Sequence, residues 1–320
     1  MQKFVEVLKE ARTKLEEVEK DEDYRKAVCI YIGLWITNVS ARLTTVGRWN
    51  LTGEKLETPF SAQILPFKWD YAEVNPLNEV TGGALGQVKW MTRVLARESP
   101  FVRLVPAKVL LGDGAKLPRG AASTDVVVTD PPYFDAISYA DLSDFFYVWL
   151  KRSIADLLPE TFSTPLTPKN DEATALKHRH GGDGDMAEQH FVSKLAACFA
   201  EAKRTCRPNG IIVVMFAHQT SEAWTALVRA LFEAGLNITA TFPIDTELKN
   251  RTRGLDSSAL ESSITVICRP REVGAAASFK DVRREIQAVV RESVHRFWDY
   301  GFRGGGLDCG LLRPGGGRLR

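Results

Sequence analysis

The tetrapeptide Asp130-Pro131-Pro132-Tyr133 lies in "VVVTDPPYF" (126–134) and sets an acid, two imino acids and a phenol at the end of a β-branched run. These residue types suit the activation of an exocyclic amine on adenine. Such an amine is a poor nucleophile because its lone pair is delocalised into the ring. Accepting hydrogen bonds from both of its N–H groups favours a tetrahedral nitrogen and frees that pair. Asp130 can accept one bond as a carboxylate, which is charge-assisted, and the Pro131 carbonyl can accept the other. Pro131 and Pro132 fix φ and bring no competing N–H, a stiffness that an electrostatic site requires. Tyr133 offers a flat face for an extruded base, and an electrophilic methyl held in line would react by proximity. The plainer alternative is a strand followed by a Pro-Pro turn, with Asp130 as the turn acid.

Positioning such a group calls for a strand whose carboxyl end opens on a cleft, as in open α/β sheets. From about residue 104 short apolar runs alternate with helical ones. "VPAKVLLGDG", "TDVVVTDPPY", "GIIVVMFAH", "LNITATFPI" and "SSITVICRP" read as five strands. "EQHFVSKLAACFAEAKRTC" and "EAWTALVRALFEAG" read as helices, the second ended by Gly235. The pattern predicts a mainly parallel sheet covered on both faces, with one of the last two strands an antiparallel edge. Upstream, Phe4, Val5, Leu8, Ala11, Leu15 and Val18 have helical spacing, and 24–43 and 84–99 are further helical runs. Residues 44–83 are irregular or a set of short elements. The expected organisation is a helical and irregular region over 1–103, an α/β domain over 104–271, and a C-terminal helix with a Gly/Arg-rich tail over 272–320. Within the α/β domain, polar 163–185 reads as a mobile loop.

"TDPPY" followed by "FDAISYADLSDFFYVWLKRSI" resembles the catalytic segment of S-adenosylmethionine-dependent amino-group DNA methyltransferases. More narrowly, the chain resembles the large adenine-specific DNA methylases that carry a zinc ribbon and an N-terminal domain of unknown function. "FSAQILPFKWDYAEVNP", "RPNGIIVVMFAHQTSEAWTALVRALFEAGLNI", "FPIDTE" and "SSITVICRPR" extend that likeness over about residues 24 to 303. The resemblance implies a Rossmann-like methyltransferase sheet, S-adenosyl-L-methionine as cofactor and DNA as partner. It places Asp130, Pro131, Pro132 and Tyr133 in the catalytic motif and Asp113 near the adenine of the cofactor; a turn residue in "GDG" is the equal alternative for Asp113. Tyr139, Asp141 and Asp144 could line the target pocket. Otherwise a helix begins near Asp141, with Asp141 as its cap and Phe145, Phe146, Trp149 and Leu150 as core.

Other features are weaker. His178, His180, Asp183, Asp185 and His190 match no closed metal site, and no metal is expected. "KNRTRG" (249–254) and the basic tail could touch phosphate or simply be solvated. "PFKWDYAEVNP" could serve a ligand or be irregular packing. The 320 residues carry 44% hydrophobic and 26% charged side chains, enough for a substantial core. A net charge of +2 leaves any nucleic-acid contact to local basic patches. No run has transmembrane length, so a cytoplasmic protein is expected. Cys29, Cys198, Cys206, Cys268 and Cys309 form no CxxC pair, which argues against a disulfide framework or a zinc ribbon within the chain.

The resemblance also predicts a Gly-rich cofactor turn after a first sheet strand, and none is found. "VTGGALGQ" (80–87) has glycines but no apolar strand leading into it. The sheet is therefore expected to lack its first strands, with an upstream partner chain supplying the turn, and the Gly/Arg-rich end reads as a frame-shifted terminus. Two function classes follow: an adenine-N6 DNA methyltransferase, and a methylase-like remnant that binds nucleic acid or protein without turnover.

Overall fold

The computed structural model describes residues 1–62, 65, 67–79, 82–100, 107–244, 263–271 and 278–299. "KNRTRG", the Gly/Arg-rich tail and Cys309 lie outside them. The chain forms two compact units: Met1–Leu111 with Ser138–Asn170, and Gly112–Ile137 with Asp171–Arg320.

The first unit is mainly helical. α1 (Gln2–Val18) buries Val5 and Leu8, and α2 (Glu22–Ser40) starts where the Asp21 carboxylate accepts from the Tyr24 amide at 3.0 Å. α3 (Ala84–Glu98) is tied to α2 by two bonds: Trp35 Nε1–H donates to the Ala84 carbonyl at 2.9 Å, and Asn38 Nδ2–H to Gln87 Oε1 at 2.7 Å. Between them, β1 (Arg48–Asn50) and β2 (Lys55–Glu57) form an antiparallel hairpin inside the segment read as irregular. α4 (Tyr139–Ile154) completes the unit, and Val5, Leu8, Ile36, Tyr147, Ile154 and Phe162 share one core cluster.

The second unit holds a four-stranded sheet. Its strands are β3 (Thr124–Thr129), β4 (Cys206–Phe216), β5 (Leu236–Ile244) and β6 (Ser263–Pro270), in the order β3-β4-β6-β5. β3 and β4 are parallel, and β6 is antiparallel to both β4 and β5. Three strands therefore share a direction, and one runs against them.

One of the last two strands does end the sheet, as expected, and it is β5, paired antiparallel with β6; the strand that runs against the other three, β6, is internal. β6 buries Ile264, Val266 and Cys268, which suits a central position. β5 contains Pro243, which has no N–H for a second ladder, and leaves Phe242 exposed; both suit an edge.

α5 (Gly184–Thr205) and α6 (Ser221–Glu233) pack with Ile212, Val214, Phe216, Val266 and Cys268 in one core. Gly235 ends α6 with φ of +72°, as its sequence position predicted. Among the described residues of this unit the expected cover on both faces is not seen. Val127 pairs with Ile212 on the covered face, so Val126 and Val128 point the other way, 48% and 66% exposed.

The strand expected over 105–114 does not form in residues 107–113 either. Val109 and Leu111 stand exposed there, without the ladder and cover that make a strand stable. α7 (Phe279–Asp299) is the last element among the described residues.

Candidate functional site at the end of strand β3

β3 ends at Thr129, which lies beside Val214 of β4, so the carboxyl ends of these parallel strands are neighbours. Asp130 follows at once. It is exposed, and among the described residues its carboxylate has no hydrogen-bond partner. Pro131 is buried and Pro132 half-buried, which fixes the chain immediately behind that carboxylate.

Tyr133 is half-buried, its ring 5.5 Å from that of Phe216, the last residue of β4, at 64°. Phe134 is buried and has φ of +53°, a left-handed conformation that a bulky L-residue adopts at a cost. Its ring meets Phe191 at 5.0 Å and His218 at 5.6 Å. The turn is closed by the Phe134 amide donating to Pro132 O and the Ala136 amide to Tyr133 O, each at 3.0 Å.

A second clamp comes from the segment read as a mobile loop. The Ala175 amide donates to the Phe134 carbonyl at 3.0 Å. Thr174, Ala175 and Leu176 are buried, Arg179 pairs with Glu172, and His190 Nε2 lies 3.0 Å from the Glu172 carbonyl. Polar composition predicted solvation over 163–185; within it Glu172 and Arg179 spend their charges on each other, and the His180 ring lies 5.0 Å from that of His190. Asp183 caps α5, accepting from the amides of Asp185 and Met186. Among the described residues no group of three or more His, Cys, Asp or Glu could hold a metal ion.

Of the remaining candidates, Asp113 belongs to the sheet unit and Tyr139, Asp141 and Asp144 to the helical unit. Asp113 is exposed, with a carboxylate oxygen accepting from the Ala115 amide at 2.9 Å, the geometry of a turn residue. No strand leads into it, contrary to expectation. The adjoining turn is fixed to α5, where Glu201 accepts from the Leu117 amide at 3.0 Å and from Arg204, which hold its carboxyl down to about 2.

Tyr139 and Asp141 lie on α4, in the helical unit. The helix begins at Tyr139 with Ser138 as its cap residue, so Asp141 is a first-turn acid and not the cap; there it faces the positive end of the helix dipole. Asp144 accepts from the Thr167 amide at 2.9 Å, the Thr167 hydroxyl and Lys169 Nζ at 2.6 Å. Burial pushes its carboxyl up, but these bonds outweigh burial and hold it below the usual carboxylate range. That carboxylate is occupied as a staple within its own unit.

Sequence reasoning missed Phe134, Asp135 and His218. Asp135 Oδ1 lies 3.1 Å from His218 Nε2, and the imidazole is 9% exposed. A signal was present: "FAHQT" follows the carboxyl end of the neighbouring strand, just as Asp130 follows β3.

No protein-family profile matches the chain, and no curated protein matches it. Among solved structures it is similar to a Thermus thermophilus protein provisionally designated a DNA modification methylase. The identity is 15% and the TM-score 0.28, over 59% of this chain and 63% of that one. The selenomethionine derivative of the same protein gives 15% and 0.27, over 58% and 62%. The match thus spans less than two thirds of those chains. Among the described residues no helix is long and apolar enough to cross a membrane.

Proposed function

We propose that this chain carries the target-base side of an S-adenosylmethionine-dependent DNA methyltransferase acting on an exocyclic amine, adenine N6. The observation that supports it best is the exposed Asp130 carboxylate, without a partner among the described residues, at adjoining parallel strand ends, backed by buried Pro131 and by Tyr133 in a clamped turn. Asp130 accepts one N–H of the amine and the Pro131 carbonyl the other. Together they hold the nitrogen with its lone pair free, and Tyr133 carries the base on its ring face. Because Pro131 and Pro132 have no N–H, they bring no donor that competes with the amine for these acceptors.

S-adenosyl-L-methionine supplies the electrophilic methyl when bound. The described residues do not by themselves fit it, since Asp113 sits in an exposed turn and no glycine turn follows a strand. The proposal therefore includes a partner chain that supplies the cofactor turn. The same misfit favours a second reading, a methylase-like chain that binds nucleic acid or protein without turnover.

One assay separates the two readings. Transfer of labelled methyl to DNA is measured for wild type and Asp130→Ala, each with and without the upstream fragment. The proposal expects transfer by the combined wild type and loss of at least a hundredfold in Asp130→Ala, with DNA affinity kept within a few-fold. Transfer by Asp130→Ala at the wild-type rate would remove Asp130 from the mechanism. DNA binding without transfer in any combination would establish the second reading.

A further inference from the structure

Asp135 and His218 stand beside the motif, and the proposed chemistry does not use them. The imidazole is almost wholly buried, yet both of its nitrogens are satisfied. Nδ1 lies 3.2 Å from the backbone nitrogen of Thr220 and 3.0 Å from its hydroxyl. A backbone N–H can only donate, so Nδ1 carries the lone pair. The proton is thereby assigned to Nε2, which donates to Asp135 Oδ1 at 3.1 Å.

The two ends of this relay are anchored. The Thr220 hydroxyl caps α6 by accepting from the Ala223 amide, and Trp224 Nε1–H donates to the His218 carbonyl at 3.0 Å. At the other end Asp135 belongs to the same turn as Tyr133 and Phe134. The ring itself stacks near Phe216 at 24° and meets Phe134 edge-on at 81°. Phe134 is the strained residue of that turn, and strain persists only where the surroundings over-determine it.

We propose that His218 is a positioning residue for the target base. As the neutral Nε2–H tautomer it ties Asp135 to the start of α6, backs the ring of Phe134, and so keeps the turn with Tyr133 formed before any base arrives. The assignment deepens the proposed function and rests on it for the identity of the ligand. It predicts a preformed platform, in which ordering is not left to the moment of binding.

The test uses the whole chain and three variants. His218→Phe keeps a ring against Phe134 and Phe216 but removes both hydrogen bonds. His218→Gln can still donate to Asp135. Asp135→Ala removes the acceptor that the imidazole meets. Amide hydrogen exchange is measured at Phe134, Ala136 and Ala175, with Val213 and Leu227 as controls, in the absence of any ligand. Exchange at the three turn amides should rise about tenfold or more in His218→Phe and Asp135→Ala and less than threefold in His218→Gln, the controls being unchanged. Wild-type exchange at those amides in His218→Phe overturns the assignment. Should His218→Phe fail to fold, Asp135→Ala carries the same two outcomes.

A second readout is fluorescence of 2-aminopurine at the target position of a DNA oligonucleotide, which rises when the base leaves the stack. Affinity for the extruded base should fall about tenfold in His218→Phe and recover in His218→Gln. Undiminished extrusion by His218→Phe overturns the role toward the base. If wild type extrudes nothing while exchange responds as expected, the nucleic-acid reading fails and the positioning of the turn stands.

Discussion

Replacing Asp144 with Ala removes the acceptor that holds Thr167 and Lys169 against α4. The carboxylate is 20% exposed and Lys169 29%, so solvent screens this pair only in part. A hydrogen bond to a charged group contributes about 1.5–3 kcal/mol taken singly. Three bonds to one carboxylate are not additive, and the freed Thr167 groups can turn to water. The expected loss is therefore about 2–3 kcal/mol for Asp144→Ala. For Asp144→Asn, which keeps an oxygen toward Thr167 but not the charge, it is about 1 kcal/mol.

The effect has a pH signature. The folded carboxyl is held below its unfolded value of about 3.9. The stabilisation is thus complete above that value and is lost as pH falls through the lower, folded one. Urea unfolding followed by tryptophan fluorescence should shift by roughly 1 M at pH 7 in Asp144→Ala, given slopes of about 1–3 kcal/mol per M. The gap from wild type should narrow as the pH falls below about 3.9. An unchanged midpoint at pH 7, or a difference that stays constant as the pH is lowered, would refute the staple.

Tyr133→Ala should weaken capture of an extruded base by roughly 1–3 kcal/mol, with Tyr133→Phe and Tyr133→Trp retaining most of it, measured by oligonucleotide titration. A Phe variant as weak as Ala would show that the hydroxyl and not the ring is needed. Phe134→Ala should destabilise the sheet unit by about 3–5 kcal/mol, because it empties a buried site and keeps the left-handed backbone. Phe134→Leu should lose clearly less in the same denaturation, and equal losses would argue that volume is not what matters there. Burial raises the Cys268 thiol to about 12, so at pH 8 a thiol reagent should leave Cys268 unmodified until the chain unfolds. Labelling of Cys268 in the native chain, read by peptide mass, would contradict its place in the core.

Much of the architecture follows from local pattern. Helical spacing located α1, α2 and α3, and Gly235 marked the end of α6 through the φ that only glycine adopts freely. The acid and two prolines at the end of β3 were legible because their chemistry is carried by residue types in immediate succession. Three-residue strands such as β1 and β2 are too short to show a period. The apolar run at Val109–Leu111 shows that such a run records the capacity to be covered, not the cover itself. The internal place of β6 was foreshadowed by Pro243 in its neighbour, a signal that acts through a missing N–H and not through hydrophobicity. The packing of 172–180 rests on partners as distant as Phe134 and His190, and neither composition nor spacing reveals a partner of that kind. His218 was missed for the same reason: its bond to Asp135 joins residues 83 apart.

The inserted position of β6 has a consequence for biosynthesis. β5 leaves the ribosome before β6, yet in the described sheet β5 is joined to the other strands through β6. A nascent chain that has reached Ile244 holds β3, β4 and β5 with no ladder between the last two. The stretch up to Pro270 takes roughly 1–5 s more at about 5–20 residues per second. During that interval the apolar edge from Ile212 to Phe216 is open to any extended chain nearby. The strand that completes this sheet is therefore also the one that ends its period of greatest exposure to misassembly.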